Sequence, residues 1–167
     1  VYVKLHDFSG KFSPVYTDTI AYGPIPATSQ YSGEVLADNP AGYWRLGEAA
    51  GKTAIDNQSQ NHGTYQNTPT QGATSLITSD IQNTSVSFDG INDYVSLGNS
   101  SLFNPQTTIT LEAWIVPTVI PTSGNFASVL TRSGSYTIQF NGPKLEFAVI
   151  QNNVKQRLQA QAGFIVA

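Results

Sequence analysis

From Tyr43 to Ala162 the sequence alternates apolar and polar residues in short runs: Tyr43 to Leu46, Ser85 to Phe88, Tyr94 to Leu97, Ile109 to Ile115, Ser128 to Thr131, Tyr136 to Phe140, Leu145 to Ile150 and Gln156 to Ala162. A period of two puts successive side chains on opposite faces of a strand. Asp89-Gly90-Ile91-Asn92-Asp93, Pro121-Thr122-Ser123-Gly124-Asn125 and Asn141-Gly142-Pro143 separate the runs, and clusters rich in Gly, Pro and Asn turn a chain within a few residues. Many short strands with close turns predict an all-β sandwich or jelly roll, not a βαβ sheet. The window Asn153 to Gly163 holds good helix formers, but Leu158, Ala160 and Ala162 alternate with Gln159 and Gln161, so it reads as strand.

The start of the chain carries its own pattern. Val1 to Leu5 and Val15 to Ile20 alternate around a turn at His6 to Lys11, which reads as a hairpin over residues 1–22. Gly23, Pro24 and Pro26, followed by Thr28, Ser29, Gln30 and Ser32, show no period, so 23–33 reads as a linker and 34–167 as the main domain. A chain of 167 residues is long enough for one substantial β core. Charged residues make up only 11% and the net charge is −3, leaving no field that concentrates nucleic acid, so none is expected as a partner. There is no cysteine, which removes disulfides, thiolate metal sites and thiol nucleophiles. No apolar stretch approaches the roughly 20 residues that span a bilayer, so membrane insertion is not expected. Val1 opens directly into the alternating run, which reads as an interior fragment or a processed product.

Four blocks carry a resemblance. Ala37-Asp38-Asn39-Pro40-Ala41-Gly42-Tyr43-Trp44-Arg45-Leu46-Gly47-Glu48, then Asp56 to Gly63 with Thr64-Tyr65, then Val86-Ser87-Phe88-Asp89-Gly90-Ile91-Asn92-Asp93-Tyr94-Val95, then Thr110-Leu111-Glu112-Ala113-Trp114-Ile115, follow one another in order. Together they resemble the laminin-G-like family of concanavalin A-type domains. The resemblance implies a two-sheet antiparallel jelly roll over 34–167, with functional loops at one rim and a concave face. The hairpin over 1–22, with Asp7-Phe8-Ser9-Gly10-Lys11-Phe12-Ser13 at its turn, resembles the last hairpin of a bacterial immunoglobulin-like module. Family members continue past the point matching Ala167, so the resemblance also implies that C-terminal strands are missing, with further polypeptide or neighbouring copies of the chain to cover an open edge.

Several residues are candidates for a site. In Ile109 to Ile115, the residues Ile109, Leu111, Ala113 and Ile115 share one face and predict an inter-sheet strand, leaving Trp114 on the opposite surface as packing residue or ligand platform. Tyr136, opening its own run, is the second aromatic expected at a ligand surface. Asp56 to His62 form an oxygen-rich loop of the composition calcium takes. The resemblance suggests a structural calcium there, with Glu48, Asp56 and Asn61 as ligands; a bare Asx-type turn is the other reading. Asp89 to Asp93 reads as a plain hairpin turn.

Catalysis finds little footing. The concanavalin A-type glucanases that resemble this fold place carboxylates at alternate strand positions, whereas Glu112 and Glu146 each stand alone here, and His6 and His62 lie in predicted loops. The expectation is a non-enzymatic adhesion or recognition module of a cell-surface or secreted protein, taking a glycan or protein ligand. The alternative is a structural module of a virion, such as a phage tail or decoration component.

Overall fold

A computed structural model describes residues 31–77 and 84–160. The hairpin over 1–22, most of the stretch read as a linker, and the last seven residues lie outside the described residues. One helix, α1 (Tyr31–Ala37), and one 3₁₀ turn (Ser101–Phe103) accompany nine strands among the described residues: β1 (Thr53–Ala54), β2 (Gly63–Gln66), β3 (Thr70–Thr74), β4 (Thr84–Ser87), β5 (Tyr94–Ser96), β6 (Phe126–Arg132), β7 (Tyr136–Asn141), β8 (Lys144–Gln151) and β9 (Val154–Gln159). All pairings are antiparallel, in the orders β1-β2-β5, β3-β4 and β6-β7-β8-β9. The chain is an all-β protein.

The four-stranded sheet follows from its turns. Arg132 faces Tyr136 across a three-residue loop in which Gly134 takes φ 73°, a left-handed backbone that glycine adopts freely. Asn141 faces Lys144 across Gly142-Pro143, with Gly142 at φ 57°. Gln151 faces Val154 across Asn152-Asn153, whose φ angles are 51° and 61°. Two positive φ values in succession are what the right-handed twist of a two-residue hairpin asks for, and asparagine is among the few non-glycine residues that accept them. Alternation then sorts the sheet into two faces. Tyr136, Ile138 and Phe140 share one face with Leu145, Phe147 and Val149, to which they are paired, and with Leu158. Thr137, Gln139, Asn141, Lys144, Glu146, Lys155, Arg157 and Gln159 occupy the other.

The smaller sheets take in parts of the second and third of the blocks quoted above. Gly63 of β2 fits because it has no Cβ; an added one would stand 2.6 Å from Val95 Cγ1 and 2.8 Å from Leu97 Cδ2. Gly63→Val should therefore destabilise the chain by about 1–3 kcal/mol, read as a lower denaturant midpoint at unchanged slope.

Some expectations need correction. Ile109 to Ile115 is not a strand: it pairs with no neighbour among the described residues, Ile115 is 40% and Trp114 59% exposed, and Ala113 is exposed as well. The alternation is present, but a strand also needs a ladder partner for its N–H and C=O groups, and no described segment supplies one. Tyr43 to Leu46 shrinks to a single bridge between Trp44 and Asp56. The Asp89 to Asp93 turn exists, but it joins β4 and β5, which belong to different sheets, so it is a crossing and not a hairpin. Helix α1 begins inside the stretch read as linker. It ends where Asn39 adopts φ 51° just before Pro40, a left-handed stop followed by a residue that cannot continue a helix.

Candidate functional site

The polar face of the four-stranded sheet is organised around Glu146. Its position on β8 is set by the two flanking turns: the Gly142-Pro143 turn places Gln139 directly opposite it on β7, and the Asn152-Asn153 turn places Gln159 opposite it on β9. Its side chain is fully buried beneath its neighbours. Oε1 accepts from Gln139 Nε2 at 2.9 Å and Lys155 Nζ at 2.8 Å, and Oε2 accepts from Asn141 Nδ2 at 3.0 Å and Gln159 Nε2 at 2.8 Å. Arg157 Nη1 lies 4.0 Å away. Burial alone would raise the carboxyl, but the Lys155, Asn141, Gln159 and Gln139 donors outweigh it and hold the group down at about 2. The residue expected to stand alone among apolar or neutral neighbours is the hub of a five-residue network. Each oxygen already accepts two hydrogen bonds, so the ionised carboxylate has no lone pair left to take a proton from a substrate.

Beside this network the same face opens into a cleft of about 240 Å³. Ser128, Thr131, Thr137, Gln139 and Lys155 contribute to its lining. Thr137 Oγ1 donates to the Leu130 carbonyl at 3.2 Å and lies 2.7 Å from Thr131 Oγ1. The two hydroxyls thus satisfy one another at the edge of the cleft. A bulge between Ser128 and Leu130 makes this possible, since it shifts β6 by one residue and brings both Ser128 and Thr131 to the face carrying Gln139 and Thr137. Three cations (Lys144, Lys155, Arg157) and one carboxylate (Glu146) lie on this face by alternation. Hydroxyls, the Gln139 carboxamide and the Lys155 ammonium share the lining with Arg132 and the apolar Ala148 and Ile150; Tyr136 contributes at one end, where β7 begins.

The residues expected at a site are placed elsewhere or otherwise employed. Tyr136 points to the apolar face, is only 7% exposed, and donates from its hydroxyl to the Phe103 carbonyl at 3.2 Å; burial raises its pKa. It is a packing residue with a satisfied polar tip. Trp114 meets Tyr31 of α1 edge to face at 5.9 Å and donates from Nε1 to the Tyr31 hydroxyl at 2.8 Å, while that hydroxyl donates to Glu112. Burial and the bond to Glu112 push the Tyr31 phenol up to about 12. Trp114 therefore anchors the helix and lies outside the cleft lining.

The Asp56 loop is a closed hydrogen-bonded turn. Asp56 is fully buried. Its Oδ1 accepts from the backbone N–H of Tyr43 at 2.9 Å and Gln58 at 3.0 Å, and its Oδ2 from Gln60 at 3.2 Å and Asn61 at 3.0 Å. Burial raises the carboxyl, and these four donors more than offset that, so its pKa falls below the ordinary value. Asn61 meets Asp56 through its own N–H and accepts from Trp44 Nε1 at 2.9 Å. Glu48 accepts from the Ile55 N–H at 2.8 Å and the Tyr65 hydroxyl at 2.6 Å. Glu48, Asp56 and Asn61 thus hold backbone and side-chain donors, and no group of three or more His, Asp or Glu placed to share an ion occurs among the described residues. The Asp56 carboxylate is thus engaged by backbone N–H groups in the manner of an Asx-type turn. Asp89 is built similarly, accepting at one oxygen from the N–H groups of Ile91, Asn92 and Asp93.

No family model, curated protein or solved structure matches this chain. The functional reading therefore rests on the residues themselves. Among the described residues no helix is long and apolar enough to cross a membrane.

Proposed function

We propose that the chain is a non-catalytic recognition module of a larger extracellular protein, cell-surface or secreted, and that it takes a glycan or protein ligand on the polar face of its four-stranded sheet. One observation carries the reading: a fully satisfied, buried carboxylate fixes carboxamides and an ammonium beside an open cleft lined by both hydroxyl-bearing and apolar residues. A surface kept rigid in this way has its ligand-contacting groups pre-organised, so binding orders fewer side chains. The finer arrangement, a laminin-G-like jelly roll, belongs to the same proposal. Its support is that Glu48 of the first family-like block bonds to Tyr65 at the end of the second, and Asp56 of the second to Tyr43 of the first. The two segments that resemble the family are thus physically one unit.

The test is a binding screen of the intact chain against immobilised glycans and extracellular proteins, repeated with Thr131→Trp. Thr131 is exposed, and the indole would fill the cleft without entering the core. The expected result is a ligand bound by the intact chain and lost in the variant, with the thermal transition unchanged. A ligand held equally by both would show that the polar face is not the binding surface.

A further inference from the structure

The carboxylate-centred network has a directional consequence. Gln139, Asn141 and Gln159 each point their NH₂ group at Glu146. In a planar carboxamide the carbonyl oxygen then faces away from the carboxylate, and among the described residues nothing donates to those three oxygens. Lys155 uses one of its three N–H bonds on Glu146, leaving two for other acceptors. Thr131, paired with Thr137, adds an exposed hydroxyl at the edge of the same face. The face therefore presents acceptors on β7 and β9 with the cationic side chains of Lys144, Lys155 and Arg157 among them, and it is flanked by the cleft to which Gln139 and Lys155 also belong.

From this we infer that the ligand is a saccharide, whose hydroxyls donate to the oriented carbonyls of Gln139, Asn141 and Gln159 and whose ring or hydroxyl oxygens accept from Lys155, with Glu146 as the positioning residue that fixes which end of each carboxamide faces outward. The inference rests on the proposed recognition role and adds to it the class of ligand and the residue that sets specificity. A polyol suits the face because it offers many O–H donors along its length, and because each unpaired site acceptor disfavours a ligand that lacks the matching hydroxyl. Glu146 touches no ligand in this scheme. It acts by removing the alternative amide orientation, which would present N–H where a hydroxyl proton needs an oxygen.

The experiment is calorimetric titration of the intact chain with linear hexasaccharides of glucose, mannose, galactose and N-acetylglucosamine, and with a hexauronate as the acidic arm. Each is repeated with the double variant Gln139→Glu, Glu146→Gln and with Gln159→Val. The double variant keeps one carboxylate and one carboxamide in the same directly opposed pair, but moves the charge to β7 and leaves Asn141 and Gln159 facing a neutral amide with one acceptor oxygen in place of the carboxylate. Saccharide affinity should fall by about tenfold or more in the double variant while its cooperative thermal transition survives. Gln159→Val, at an exposed position, should lose several-fold, and it supplies the answer if the double variant does not fold. Saccharide binding that is unchanged in both variants would overturn the positioning role while leaving the recognition reading intact. If no saccharide binds but a protein ligand is displaced by Thr131→Trp, the saccharide assignment alone fails. If nothing binds at all, both fall.

Discussion

Replacing Asp56 with alanine should lower the unfolding free energy by about 3–5 kcal/mol, the order expected when a buried charge that satisfies several donors is removed. Four backbone N–H groups, those of Tyr43, Gln58, Gln60 and Asn61, lose their acceptor at once, and the methyl group that remains can accept from none of them. Since domains of this size are stable by about 5–15 kcal/mol, the loss takes a large share of the total. Asp56→Asn should cost less, because its carbonyl oxygen still serves two of the donors. Denaturant titrations of the three proteins give the comparison. Calcium should leave the midpoint of the intact chain where it is, because the Asp56 oxygens are already held by four N–H groups and those of Glu48 by an N–H and a hydroxyl. A calcium-dependent rise that Asp56→Ala abolishes would restore the ion to this loop.

Glu146→Ala should be destabilising by about 2–4 kcal/mol, since four donors lose one shared acceptor but are close enough to the surface to turn partly to water. The intact chain should show the same interaction as a pH effect. A carboxyl held at about 2 in the folded chain, against an ordinary value of 4.5, contributes on the order of 3 kcal/mol. Because the folded-state value is the lower one, that contribution is complete above pH 4.5 and is lost as pH falls toward 2. Salt should trim it, since the Lys155 ammonium that supplies part of it is 36% exposed. Unfolding curves between pH 2 and 7 should therefore be steeper in pH for the intact chain than for Glu146→Ala. Parallel curves would show that Glu146 is not held by the network.

Both residues show where sequence patterns suffice and where they stop. The faces of β7 and β8 were legible, because Tyr136 to Phe140 and Leu145 to Ile150 alternate on either side of Asn141-Gly142-Pro143. The β9 strand was legible for the same reason, although its residues also form helices well. Glu146 was misread because its partners come from three strands, and alternation says which face a residue takes without saying what stands beside it. The missing signal was in the turns. A two-residue turn at 142–143 puts Gln139 opposite Glu146, and one at Asn152-Asn153 puts Glu146 opposite Gln159, so the row follows once both turns are fixed. Ile109 to Ile115 failed in the opposite way: its period is clear, but pairing depends on a neighbour that its own residues do not specify. Trp114 and Tyr136 looked alike as aromatics near polar residues. Their roles parted only through contacts distant in sequence, Trp114 with Tyr31 and Tyr136 with Phe103.

The central claim is that ligand binds on the polar face of the four-stranded sheet, and the most direct measurement is a two-dimensional amide NMR titration of the intact chain with the hexasaccharides, following backbone and side-chain carboxamide signals together. The account predicts that the side-chain NH₂ signals of Gln139, Asn141 and Gln159 and the backbone signals of Ser128, Thr131 and Lys155 shift together, while those of Asp56 to Asn61 and the Trp114 indole stay fixed. Shifts centred on Trp114 and Tyr31, or on the Asp56 turn, with the sheet face unmoved, would contradict it.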